Sequence, residues 1–160
     1  VQELGIYQPK LDLDIQEVSR LDGFALVLDD SITARHLVSD ALSKMGLKVI
    51  EAKDGVEGFE KLNDLYALYK EDLENNLRII ISDVEMPQMD GFHFAARMKE
   101  DKRFINIPII FNSSISNQFS EIQGKEVGGD GYLTKFNATQ LYNEVIRVLN
   151  ERKKAIQGGA

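Results

Sequence analysis

From Phe24 onward the chain alternates between two hydrophobic periods. Short apolar runs, most of them β-branched, lie at residues 24–28, 47–51, 78–82, 107–112 and 131–134, each the length of a buried strand. Between them apolar residues recur at helical spacing. Ala34, Leu37, Val38, Ala41, Leu42 and Met45 form one stripe that begins after a cap at Ser31 and stops at Gly46. A second helix is predicted over residues 56–73, carrying Phe59, Leu62, Tyr66, Tyr69 and Leu73. A third starts near Gly91 and presents Phe92, Ala95 and Met98, and a fourth covers residues 117–126. The last opens on Asn137-Ala138-Thr139-Gln140, a capping-box spacing, and shows Leu141, Val145, Val148 and Leu149. Five strand–helix units in succession predict an α/β fold, a parallel sheet with helices on both faces.

The ends do not share this pattern. Residues 1–22 carry only a weak apolar pattern at Leu11, Leu13, Ile15 and Val18 and read as a linker or N-terminal extension. Residues 23–150 form the domain, and residues 151–160, "ERKKAIQGGA", read as a tail. With 43% hydrophobic and 28% charged positions in 160 residues, the chain has the balance of one globular domain with a full core. A formal charge of −7, with no Lys/Arg cluster before Arg152-Lys153-Lys154, argues against nucleic acid as a partner. The absence of cysteine excludes disulfides, zinc thiolates and thiol nucleophiles. The longest apolar runs, such as Ile79-Ile80-Ile81, are too short to span a bilayer and no signal-peptide pattern precedes them, so no membrane insertion and a cytoplasmic location are expected.

In an open parallel sheet, ligands bind outside the carboxyl ends of the strands, so the residues that follow each strand matter most. The first strand ends in Asp29 and Asp30, the third in Asp83, the fourth in Ser113 and the fifth in Lys135. Either acidic residue after strand one, taken alone, would read as a helix cap. Together the set delivers three carboxylates, a hydroxyl and an ammonium to one sheet edge. Carboxylates converging without a cation repel and push at least one pKa upward, so a divalent ion is the economical resolution. Oxygen-only ligands point to Mg²⁺, which keeps coordination sites for water and phosphate oxygens.

These residues resemble the receiver domain of bacterial two-component response regulators. The match rests on Asp29-Asp30, on "SDVEMPQMDG" from Ser82 to Gly91, on Ser113 and on Lys135. Ser113 lies thirty positions after Asp83, and Lys135 lies twenty-two positions after Ser113. The resemblance covers Phe24 to about Asn150. It implies a flavodoxin-like, doubly wound five-stranded sheet of order 2-1-3-4-5, acting as a signalling domain rather than an enzyme. In that reading Asp83 is the phosphoacceptor for a histidine kinase, with phosphotransfer and autodephosphorylation self-catalysed. Mg²⁺ would be held by Asp29, Asp30, Asp83 and the backbone carbonyl of Glu85. Lys135 and Ser113 would contact phosphoryl oxygens, and Tyr132 would be the switch aromatic, read out over helix four, strand five and helix five. "NSSIS" (residues 112–116) and "TKF" (residues 134–136) are most similar to the receivers of CheV-type chemotaxis coupling proteins. Those follow a CheW-like coupling domain, which implies the chemotaxis kinase and chemotaxis signalling complex proteins as partners.

The sequence departs from the family in two places. The stretch from Gly55 to Asp83 is about ten residues longer than in a minimal receiver, the excess falling over Tyr66 to Asn76, and Phe136 stands where the family has proline. Glu85 and Ile115 are expected to flank the path of the hydrolytic water. His36 and His93 sit in helical patterns and read as surface or rim residues. Three other readings compare less well. A haloacid-dehalogenase-type phosphatase needs Asp-x-Asp-x-Thr after strand one, where this chain has Asp29-Asp30-Ser31. A flavodoxin would not set an acidic pair against the FMN phosphate. A pseudo-receiver, binding partners without phosphorylation, would not need the intact acidic set.

Overall fold

The computed structural model describes residue 5 and residues 21–113, 118–134 and 136–158. Five strands, β1 (Phe24–Leu28), β2 (Lys48–Ala52), β3 (Leu77–Ser82), β4 (Ile109–Ser113) and β5 (Gly131–Thr134), form one sheet of order β2-β1-β3-β4-β5, every pairing parallel. This is the flavodoxin-like order that the resemblance implied.

Alternation along the strands makes the fold doubly wound. All five residues of β1 are buried, and successive side chains enter opposite faces of the sheet. Ala25 and Val27 join a core with Val38 and Leu42 of α1 (Ile32–Lys44) and Val145 and Val148 of α5 (Ala138–Gly158). Phe24, Leu26 and Leu28 join a second core with Leu62 and Leu65 of α2 (Gly55–Tyr69) and Phe94 and Met98 of α3 (Gly91–Lys99). Gly124 of α4 (Gln118–Glu126) lies against Phe111 of this second face. Each fully buried Leu, Ile or Val side chain contributes about 1.5–3 kcal/mol, so these two layers dominate stability.

The expected caps form. Ser31 accepts a hydrogen bond from the Ala34 N–H at 3.2 Å, and Asn137 accepts one from the Gln140 N–H at 3.0 Å. Gly46 ends α1 at φ +103°, a left-handed turn that carries the chain into Leu47 and β2. Two boundaries differ from the periodicity. The second helix stops at Tyr69 rather than continuing to Leu73, because Lys70 turns to φ +50°. A 3-10 turn (Lys70–Asp72) and a single helical turn (Leu73–Asn76) follow, and this detour delivers Leu73 to the core at 1% exposure. The last helix continues to Gly158, so most of the segment that reads as a tail is helical. Among the described residues no helix is long and apolar enough to cross a membrane.

Candidate functional site

Strand pairing brings the acidic residues together. Leu28 and Ser82 are register partners on β1 and β3, so the residues that follow them, Asp29 and Asp83, leave the sheet side by side. The Asp83 N–H donates to the Leu28 carbonyl at 2.8 Å and the Asp29 N–H to the Ala52 carbonyl at 3.1 Å, which extends the ladder by one residue beneath the site. Asp29 is buried and its Oδ1 accepts from the Ser31 N–H at 2.9 Å. Asp30 is exposed, and Asp83 is half-buried with its Oδ1 accepting from the Val84 N–H at 2.8 Å. Oxygens from the three carboxylates lie within 4.8 Å of one another.

The loop after Asp83 is held in one shape. Ser82 Oγ donates to the Asp83 carbonyl at 2.8 Å, the Gly91 N–H donates to the Val84 carbonyl at 2.8 Å, and Gln88 turns the chain at φ +67°. Glycine is required at position 91 because a Cβ there would sit 2.1 Å from the Asp83 carbonyl oxygen. Asp90 then caps α3 through the His93 N–H at 2.8 Å.

Burial and mutual repulsion set the electrostatics. Burial pushes the Asp83 carboxyl up to about 7, reinforced by the charges of Asp29 and Asp30 and opposed by hydrogen bonds from the Val84 and Glu85 N–H groups. Burial also raises Asp29, with the Ser31 N–H opposing, Asp30 adding to the rise and Arg35 opposing it. Three convergent oxygen donors whose charges destabilise one another suit a hard divalent cation, and Mg²⁺ fits this donor set.

The other expected site residues fall on the same edge or outside the described residues. Ser113, buried at the end of β4, is the register partner of Thr134 at the end of β5. Tyr132 is half-buried on β5, its ring 6.3 Å from that of its register partner Phe111. A Cβ at Gly124 would approach both rings, at 3.1 and 3.2 Å, so Tyr132 lies directly under α4. Glu85 is exposed next to the cluster. Lys135 lies outside the described residues, as does Ile115. Phe136, in place of proline, is partly buried against the α1 and α5 side of the core. His36 and His93 are exposed, as their patterns suggest.

Sequence reasoning missed Arg35, Ser39 and Glu51, a polar network that reaches the acidic pair from the α1 and β2 side. The Arg35 Nη1 donates to the Asp29 carbonyl at 2.7 Å, and Ser39 Oγ donates to Glu51 Oε2 at 2.6 Å. The only signal was spacing, an arginine one helical turn beyond the Ser31 cap.

Comparison with known proteins gives the family. The family described as "Response regulator receiver domain" matches residues 25–146. The chain is 46% identical over 132 residues to chemotaxis protein CheV3 of Helicobacter pylori, a match covering 82% of this chain and 42% of that protein's length. It is 32% identical over 125 residues to chemotaxis protein CheY1 of Helicobacter pylori, covering 78% of this chain and 94% of that protein. The structure of chemotaxis response regulator CheY4 of Vibrio cholerae superposes with a TM-score of 0.66 at 33% identity, over 81% of this chain and 100% of that one. The chain belongs to the response regulator receiver domain family.

Proposed function

We propose that the chain is a phosphoacceptor that takes a phosphoryl group from a histidine kinase onto Asp83 and thereby changes protein–protein contacts in a chemotaxis pathway. The observation that carries this reading is the meeting of Asp29, Asp30 and Asp83 from two neighbouring strand ends within 4.8 Å. Asp29, Asp30, Asp83 and the Glu85 carbonyl would hold Mg²⁺. Bound there, the ion supplies charge neutralisation for the carboxylates and for the phosphoryl oxygens.

The nucleophile must be ionised, and burial beside two other acids opposes ionisation. The Val84 N–H, which donates to Asp83 Oδ1, orients the carboxylate for in-line attack on phosphorus. The new P–O bond forms as the P–N bond to the donor imidazole breaks; the imidazole keeps that electron pair and takes up a proton. The Ser113 hydroxyl and the Lys135 ammonium then contact phosphoryl oxygens, and water returns the aspartate by hydrolysis past Glu85 and Ile115. Tyr132, under α4, is the group through which this change reaches the surface of α4, β5 and α5.

The chemotaxis kinase and other chemotaxis signalling complex proteins are the proposed partners, with residues 1–22 joining the receiver to a preceding CheW-like domain in a cytoplasmic protein. Exposure to acetyl phosphate with Mg²⁺, read by intact mass, tests the chemistry. One phosphoryl increment is expected, absent when chelator is present throughout the incubation and absent in Asp83→Ala. An increment that survives Asp83→Ala refutes the assignment, and no increment in the wild type favours a pseudo-receiver.

A further inference from the structure

The geometry points to Arg35 as a positioning residue of the acidic site, one that fixes the peptide group joining Asp29 to Asp30. This inference rests on the proposed cation-binding role of that site.

Arg35 lies in the first turn of α1, its own N–H bonded to the Ser31 carbonyl at 2.9 Å. Its guanidinium turns back to the end of β1 and donates from Nη1 to the Asp29 carbonyl at 2.7 Å. That carbonyl belongs to the peptide between the two acidic residues, so its direction sets where both carboxylates point. The ring of contacts closes through β2. Arg35 Nε lies 3.5 Å from Glu51 Oε1, with both side chains largely buried at 14% and 18% exposure. Glu51 is held in turn by Ser39 Oγ at 2.6 Å. Val27, two residues before Asp29, is the register partner of Glu51, so the network spans neighbouring strands just below the site. A second restraint acts from the other side, where the Ser31 N–H holds Asp29 Oδ1. The peptide and the carboxylate are thus fixed by separate donors, and only the peptide depends on a side chain. Groups that hold metal ligands in place alter affinity by roughly 10–100-fold when removed.

Coulomb attraction and positioning predict opposite signs, which makes the inference testable. Arg35→Met removes a positive charge near three carboxylates and leaves Glu51 to Ser39 and His36, so charge alone would tighten cation binding. Loss of positioning weakens it. Mn²⁺ serves as the probe because it takes octahedral oxygen ligation and is read directly by electron paramagnetic resonance. The measurement uses the whole chain without phosphodonor, with thermal unfolding confirming that each variant is folded.

The expected result is a Kd for Mn²⁺ about tenfold weaker in Arg35→Met, with Arg35→Lys intermediate, because an ammonium keeps the charge but cannot span the Asp29 carbonyl and Glu51 together. Glu51→Gln should weaken binding in the wild-type background more than in the Arg35→Met background, since it acts partly by releasing the guanidinium. An Arg35→Met Kd equal to or tighter than wild type overturns the inference. Should that variant not fold, an Arg35→Lys Kd matching wild type overturns it equally. Wild-type chain that binds no Mn²⁺ refutes the cation site itself along with the role given to Arg35, whereas wild-type binding lost in Asp30→Asn upholds the site and leaves Arg35 to stand or fall on its own variants.

Discussion

Removing the charge of Asp83 should stabilise the protein in the absence of divalent cations. The folded state holds the Asp83 carboxyl at about 7, well above the ordinary 3.8, because burial and the charges of Asp29 and Asp30 disfavour its ionised form. The folded protein therefore binds this proton more tightly than the unfolded chain does. Stability from this group is fully present below about pH 4, falls as the pH rises from there to about 7, and levels off above that. A displacement of that size corresponds to about 4 kcal/mol at most, at 1.36 kcal/mol for each tenfold change in proton affinity. Solvent at the open mouth, where Asp30 is exposed, screens the interaction, and about 2 kcal/mol is the working figure. Asp83→Asn abolishes the titration and keeps an oxygen to accept from the Val84 N–H, so little else is lost.

Thermal unfolding with chelator present is the assay. At pH 8 the variant should melt about 4–8 °C above wild type, taking roughly 2–4 °C per kcal/mol for a domain of this size. At pH 4 the gap should shrink to less than half, because wild type has by then regained most of the lost stability. Saturating Mg²⁺ should also close it, by stabilising only the wild type. A variant that melts at or below wild type at pH 8 without cation, or a gap that does not change with pH, would refute the account of the site as three mutually destabilising carboxylates.

Four further outcomes follow from other parts of the fold. Gly91→Ala should destabilise by about 1–3 kcal/mol in urea unfolding, since its Cβ would overlap the Asp83 carbonyl, and unchanged stability would show that the loop yields freely. Beryllofluoride with Mg²⁺ should perturb amide signals over Gly131–Thr134 and along α4 while sparing α1 beyond its first turn; changes confined to Asp29, Asp30, Asp83 and Glu85 would remove Tyr132 from the proposed relay. Leu73→Ala should cost about 2–5 kcal/mol as a core truncation. Arg152→Ala, which breaks a partly exposed pair with Glu74, should cost under about 1 kcal/mol, and the reverse ranking would mean that the extended segment is held by its surface charges.

Much of the site was legible because its residues follow strands whose apolar runs are unmistakable. Asp29, Asp30 and Asp83 needed only the rule that parallel strands open their ligand sites at one edge. The strand order was not legible from periodicity, which cannot say whether β3 lies beside β1 or β2; the resemblance supplied it. Lys70 could not be read as a helix break, since lysine is a good helix former and neither glycine nor proline marks the place. Its φ of +50° is imposed from outside, by Tyr69 packing its ring at a tilt against Phe24 and Leu73 reaching the core. Arg35 escaped notice for the same reason: its partners are a carbonyl and a glutamate on different strands, a tertiary fact that no local pattern encodes. The end of the last helix was also hidden, because Arg152 is held from other elements, its Nη1 donating to the Asn106 carbonyl and its Nη2 3.3 Å from Glu74.

These contacts locate the extended segment relative to the chemistry. Glu74 lies in the turn that leads into Leu77, the first residue of β3, whereas Asp83 follows the last, so the two stand at opposite ends of the same strand. The segment therefore cannot act on the carboxylates directly. What it does hold is α5: Glu74 meets Arg152, and its Oε2 accepts from Asn106 Nδ2 at 2.9 Å, so the extension, the loop before β4 and the last helix close on one another. The acidic edge is a place of unfavourable charge that a divalent cation would relieve, and the opposite edge is a place where charged and polar groups of three elements pair with one another. A receiver built this way concentrates its instability where the proposed phosphorylation would act, while the far end ties the last helix to the sheet.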